Sequence, residues 1–155
     1  MPTRAVRIAS KHQSPTFPEE AAFLDLLRTT DVLSRGLLNI LKREDLSATQ
    51  YNVLRILRGA PGGLPCGEIA KRMITRDPDV TRLLDRLERR GLISRSREAR
   101  DRRTVLARIT PSGLKLLRRL DVPVRQAHRK QLGHLTPHRL RALTNLLREA
   151  RSGLT

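Results

Sequence analysis

The sequence predicts a mainly α-helical fold with one small β-ribbon, and three observations carry that prediction. Leucines recur at helical spacing towards both ends of the chain. A short segment at 77–90 combines a strong helix start with an unbroken apolar stripe. One pair of short runs suited to strands, Ile93 to Arg97 and Thr104 to Ile109, flanks a turn crowded with arginine.

The elements follow in order. After Pro18, the residues Phe23, Leu26, Leu27, Thr30, Leu33, Leu37, Leu38 and Leu41 fall on one helical face, which predicts a long helix over roughly 19–43. Ser47 followed by Gln50 is the pattern of a capping box, opening a helix that carries Tyr51, Val53, Leu54, Ile56 and Leu57. The run GAPGG at 59–63 ends it, since glycine and proline are costly inside a helix. A short helix is expected at 66–73 on Ile69, Ala70 and Met73.

Asp77 then reads as an N-cap and Pro78 as the first helical residue, where the missing N–H costs nothing. Val80, Leu83, Leu84 and Leu87 stand at i, i+3, i+4 and i+7 and form the inward stripe. Gly91 suits the position just past the helix end. Beyond the two strands, Thr110-Pro111 opens another helix bearing Leu114, Leu116, Leu117 and Leu120. Pro123 inside that pattern predicts either a kink near 120–123 or a break with Asp121 capping a new segment. Thr136-Pro137 starts a last helix with Leu140, Leu143, Leu146 and Leu147.

Two short helices joined by a tight turn and followed by a two-stranded ribbon make a winged helix-turn-helix. In such motifs the second helix enters the major groove of DNA, its N-terminal residues meeting base edges. With the apolar stripe turned inward, the outer face of 77–90 shows Pro78, Arg82, Asp85 and Arg89, with Thr81 and Arg86 on the flanks, and Pro78 and Asp79 join the candidate DNA-contacting residues at the helix start. Thr81, Arg82 and Arg86 are the expected readers, because arginine bonds guanine bidentately and threonine touches a thymine methyl or a phosphate. The same charges could equally form a solvated face held by i,i+3 and i,i+4 pairs, so the assignment rests on position within the motif.

Charge points the same way. The 155-residue chain has a formal net charge of +17, and a field of that sign concerns partners rather than fold. The excess lies beyond residue 45: residues 46–110 hold 15 Lys/Arg against 7 Asp/Glu, and 111–155 hold 10 against 2. At the ribbon turn Arg100, Asp101, Arg102 and Arg103 stand together. Arginine at such a tip suits a narrow minor groove, where negative potential is enhanced. Asp101 is out of place beside phosphate unless it orients a neighbouring guanidinium through an Asp–Arg fork. With only Phe17, Phe23 and Tyr51 as aromatics, a base-stacking binder of single strands is not expected.

The segments LSATQYNVLRIL, GEIAKRM, DVTRLLDRLERRGLI and DRRTVLARITPSG follow one another in an order that resembles the MarR (multiple antibiotic resistance regulator) family of bacterial transcription factors. The likeness spans about residues 19–150, and its most specific part is Asp101, Arg103, Ile109, Thr110 and Gly113. The resemblance implies that Arg103 is the wing arginine of the minor groove, with Asp101 its partner. It also implies a homodimer interleaved through the first and last helices. A small-molecule effector, frequently an anionic aromatic, would bind between dimerisation and DNA-binding parts, near Leu26, Thr30, Tyr51 and Leu54, which could also be plain core. Independently, amphipathic helices flanking a self-sufficient winged helix need a partner for their leucines, and a two-fold copy is the commonest one.

The expected organisation is a flexible tail at 1–18, a dimerisation helix at 19–45, a winged helix-turn-helix at 46–110 and C-terminal dimerisation helices at 111–151. No nucleophile–base pair, paired carboxylates or phosphate-binding glycine loop appears, so no enzyme and no cofactor is expected. Cys66 is a single cysteine that fits a small buried hydrophobe and a reducing compartment. His128, His134 and His138 lack further ligands close in sequence, so no metal is expected. No apolar run reaches the length of a membrane span or a signal peptide, which leaves the cytoplasm as the expected location.

The predicted function is a homodimeric regulator of transcription, a repressor, that binds double-stranded DNA at a pseudo-palindromic operator. Two other classes compete with it: a nucleoid-type protein that coats DNA by charge, and a winged-helix module that binds an acidic protein.

Overall fold

The computed structural model describes residues 17–98 and 100–154. The expected tail therefore lies, apart from its last two residues, outside the described residues. Two units divide the chain, 1–34 and 35–155. The first contributes the N-terminal part of helix α1 (Pro18–Lys42), where Phe23, Leu26, Leu27 and Val32 are exposed.

The second unit holds the end of α1 and then α2 (Ala48–Arg58), β1 (Leu64–Pro65), α3 (Cys66–Arg72), α4 (Val80–Arg89), β2 (Ile93–Arg97), β3 (Val105–Ile109), α5 (Pro111–Leu132) and α6 (Pro137–Ser152). The capping box at Ser47 is complete: its hydroxyl accepts the Gln50 N–H and the Gln50 side chain accepts the Ser47 N–H. Thr110 and Thr136 likewise cap α5 and α6, each followed by proline.

The start of α4 differs from the sequence expectation. Asp79, not Asp77, is the N-cap, its carboxylate accepting the Arg82 N–H at 3.0 Å. Asp77 instead accepts the Asp79 N–H at 2.9 Å, an Asx turn that holds residues 77–79 out of the helix, so Pro78 precedes it. The other end follows the glycine signal. Gly91 takes a left-handed φ of 67°, and the N–H groups of Gly91 and Leu92 bond the Glu88 and Leu87 carbonyls in a Schellman motif.

The sheet has three strands in the order β1-β3-β2, all antiparallel. Sequence periodicity misses β1, because two residues ending in proline carry no alternation; its pairing of Leu64 with Ala107 is a tertiary contact. Ile93 pairs with Ile109 and Arg97 with Val105, so Thr104 belongs to the turn rather than the strand.

The core gathers Leu41, Leu54, Leu57, Ile69, Leu84, Leu87, Ile93 and Leu117, all nearly or fully excluded from solvent, and no described charged or polar residue is buried with them. The core also explains Pro123. Helix α5 is not broken there, and Asp121 pairs with Arg58 at 2.9 Å instead of capping a new segment. A proline inside a helix costs about 3 kcal/mol. Burying Leu120 and Val124 on either side contributes roughly 1.5–3 kcal/mol each, enough to offset it.

Gly113 fixes where the ribbon meets α5. A Cβ there would lie 2.3 Å from the Leu92 carbonyl oxygen and 2.7 Å from Ile109. Gly113→Ala is therefore expected to destabilise the protein by about 2 kcal/mol or more, read as a lowered denaturation midpoint with unchanged m-value.

Candidate nucleic-acid interface

Helix α4 buries Val80, Leu83, Leu84 and Leu87 and turns its other face to solvent. On that face Arg82 is 70% exposed, with its Nε 3.3 Å from the Asp79 carboxylate. Asp79 thus caps the helix and steadies the guanidinium one turn later. Arg86 is exposed and has no ion-pair partner among the described residues. Ser47, Thr49, Asp77, Asp79, Arg82 and Arg86 border a shared cleft of about 320 Å³, so the start of α2 lies beside the outer face of α4. Thr81, also exposed, sits 3.8 Å from Cys66 Sγ through its hydroxyl and faces the sheet side. Pro78 is exposed in the turn before the helix.

The acids of α4 have a different job from the one their spacing suggests. Asp85 and Glu88 both bond Arg95 of β2. The Glu88 carboxylate accepts from the Arg95 backbone N–H and from Nε, each at 2.9 Å, and from Nη2 at 2.7 Å, while Nη2 also reaches Asp85. The Arg95 bonds hold the Glu88 carboxyl below its ordinary range, against the opposing effect of burial. The same bonds, Glu88 first, push the Arg95 guanidinium up. Arg95 therefore braces the ribbon against α4, and its charge is not on offer to a partner. The sequence hint to this brace lies in two acids on one helical face three residues apart.

At the ribbon tip Arg100, Arg102 and Arg103 are exposed. Asp101 stands among them, but its carboxylate accepts the Arg103 backbone N–H at 2.9 Å and the Thr104 hydroxyl at 2.8 Å. These bonds, in that order, lower its pKa. The expected fork with a guanidinium is thus corrected: Asp101 sets the turn's backbone, which is how it positions Arg103. Thr104 closes the turn by donating its N–H to the Asp101 carbonyl and accepting from Glu98. Arg108 is diverted to the Ser96 hydroxyl at 2.7 Å.

Four residues are the sequence's candidates for an effector site. Tyr51 and Leu54 belong to the core, whereas Leu26 and Thr30 are exposed on the first unit's part of α1. Among the described residues no three His, Cys, Asp or Glu side chains gather as a metal site would need, and no helix is long and apolar enough to cross a membrane.

A helix-turn-helix, a braced three-stranded wing and arginines exposed on both define a winged-helix DNA-binding protein. Residues 46–105 match the model of the MarR family. The homoprotocatechuate degradative operon repressor of Escherichia coli is 31% identical over 110 residues, covering 71% of this chain and 74% of that one. Among solved structures, a MarR transcription factor from Planctomyces limnophilus is 42% identical with a TM-score of 0.66, covering 88% of this chain and 98% of that one. Sco3205, a MarR family regulator of Streptomyces coelicolor solved in complex with DNA, is 25% identical with a TM-score of 0.80, covering 92% and 94%. The chain belongs to the MarR family, whose members are DNA-binding regulators of transcription.

The brace predicts a pH dependence. Glu88 has a depressed folded pKa, so its contribution is full above the ordinary value of 4.5 and is lost as pH falls through the lower folded value. The melting temperature of the native chain is expected to fall more steeply between about pH 5 and 3 than that of Glu88→Gln. At neutral pH the variant should cost only about 1 kcal/mol, because the pair is partly solvated.

Proposed function

We propose that this protein is a homodimeric transcriptional repressor that binds a pseudo-palindromic operator in bacterial cytoplasm. Thr81, Arg82 and Arg86 read the major groove, with Pro78 and Asp79 at the approach, while Arg103, flanked by Arg100 and Arg102 and positioned by Asp101, enters the minor groove. The observation that carries the reading is the division of labour among arginines. Arg95 is consumed by Asp85 and Glu88, whereas Arg82, Arg86 and the tip arginines remain exposed on the two elements it joins. A charged face meant only for solvent would not need its helix locked to a second basic element.

The apolar faces support the dimer. Helix α6 buries none of its residues and exposes Leu146 at 64% and Leu143 at 38%. In the first unit Phe23, Leu26, Leu27 and Val32 are exposed as well. Segments 19–45 and 111–151 are the dimerisation helices in this reading, and 46–110 the DNA-binding part. A cleft of about 250 Å³ between α2 and α5 is bordered by Tyr51, Arg55, Arg58, Asp121 and Arg125; Asp121 takes Arg58, which leaves Arg55 and Arg125 as the cations that would meet a small anionic effector releasing DNA. It shares only Tyr51 with the four residues expected from the sequence.

Selection from a randomised duplex pool, followed by titration of the winner and of scrambled DNA at several salt concentrations, tests the reading. A recovered palindrome preferred by about 10³ or more is expected. Equal affinity for all duplexes, falling steeply with salt, would instead make the +17 chain a charge-driven coating protein. Arg82→Ala should cost about 1–3 kcal/mol, concentrated at particular base pairs, whereas exposed Arg118→Ala on α5 should weaken every duplex alike.

A further inference from the structure

The C-terminal end of the reading helix is fastened by an arginine that belongs to no reading face. Arg90, the C-cap of α4, sends its Nη2 to the Glu44 carbonyl at 3.0 Å and its Nη1 to the Asp45 carbonyl. Those carbonyls lie in the turn just past the end of α1. The Leu46 and Asp45 N–H groups bond the Leu41 and Lys42 carbonyls, a second Schellman motif, with Asp45 in the left-handed region at φ 51°. The guanidinium thus sits at the C-terminal end of α1, where a helix carries partial negative charge. The side chain of Glu44 is held in turn by Arg119 of α5 at 2.8 Å.

We propose that Arg90 is a positioning residue for operator recognition: it fixes the tilt of α4 against the turn 43–46, and through Glu44 and Arg119 against α5. The lever is long relative to the tolerance. Ten residues of helix span roughly 15 Å, so a tilt of about 10° at one end moves the other by roughly 2.6 Å. That displacement is as large as a hydrogen bond is long, and the moving end is the one that carries Thr81 and Arg82. The Arg95 brace joins α4 to the wing and makes no bond to the turn after α1. Only Arg90 among the described polar contacts of α4 reaches the turn after α1. The fork geometry is what the role demands: two donors in one plane meet two successive carbonyls, which a lysine cannot copy.

This inference rests on the dimeric, operator-reading function, where the placement of α4 relative to α5 sets the distance between half-sites. The test compares the native chain with Arg90→Lys and Arg90→Gln on the selected operator, on operators with the half-sites moved by one base pair, and on scrambled DNA. Both variants are expected to lose at least about tenfold in preference for the operator, and to tolerate altered spacing better. Arg90→Lys should keep native affinity for scrambled DNA and the native salt slope. Native preference in Arg90→Lys overturns the proposal, since charge alone would then suffice. A uniform loss in Arg90→Gln, with a salt slope shallower by about one and rescue in Arg90→Lys, also overturns it and makes Arg90 a phosphate contact. Arg90→Lys decides the question even where Arg90→Gln does not fold. A native chain with no preferred duplex is a separate result: it removes the operator-reading function itself, and the positioning role with it.

Discussion

The bond set around Arg95 is the constraint on which the DNA-binding surface depends. A two-stranded ribbon has little stability alone and would otherwise move freely beside a helix. Arg95 ties it down by offering both its backbone N–H and its guanidinium to Glu88, with Asp85 as a second acceptor. Its side chain is only 26% exposed, so these charge-assisted bonds are less screened than an open surface pair. Gly113 and Thr110 seat the ribbon's other end. The Thr110 hydroxyl donates to the Gly91 carbonyl at 2.6 Å, and the Leu92 carbonyl packs where a Gly113 side chain would be. Helix, wing and α5 are therefore joined at one corner, just past the end of α4.

This corner explains how a strongly basic chain distributes its few acids. On and just before α4, Asp79 caps and steadies Arg82, Asp77 shapes the preceding turn, and Asp85 and Glu88 take Arg95. At the tip Asp101 takes backbone rather than guanidinium. Each acid neutralises or organises something structural, and the arginines left over point outward. Counted along the sequence, the helix is near neutral; counted by what each side chain touches, its outer face is basic.

Local signals in the sequence were sufficient for most of the elements. The capping box at Ser47, the threonine–proline starts of α5 and α6, and Gly91 are short-range chemistry, and the structure uses each one as the sequence implies. What was not legible came from competition between equivalent residues or from contacts far apart in sequence. Asp77 and Asp79 are both good caps, and only the Asx turn decides between them. Strand β1 exists because Ala107 is there to pair with. Pro123 stays inside a helix because Leu120 and Val124 are buried beside it. The role of Asp101 was misread for a related reason: a carboxylate among arginines suggests an ion pair, but backbone N–H and hydroxyl donors within three residues reach it first.

The fastening of α4 is divided between two arginines, and the division has a mechanical sense. Helix α4 has two neighbours to be held against, its own wing and the rest of the chain. Arg95 fixes the first largely through the Glu88 carboxylate, which protonation can release. Arg90 fixes the second through main-chain carbonyls, which do not titrate. Acid strong enough to protonate Glu88, below its ordinary range, therefore loosens the wing from the helix while the bonds of Arg90 to the carbonyls persist. The hydrophobic stripe of α4 resists sliding of the helix out of its seat but, being non-directional, sets its tilt only loosely. Directional bonds at its end supply what burial cannot.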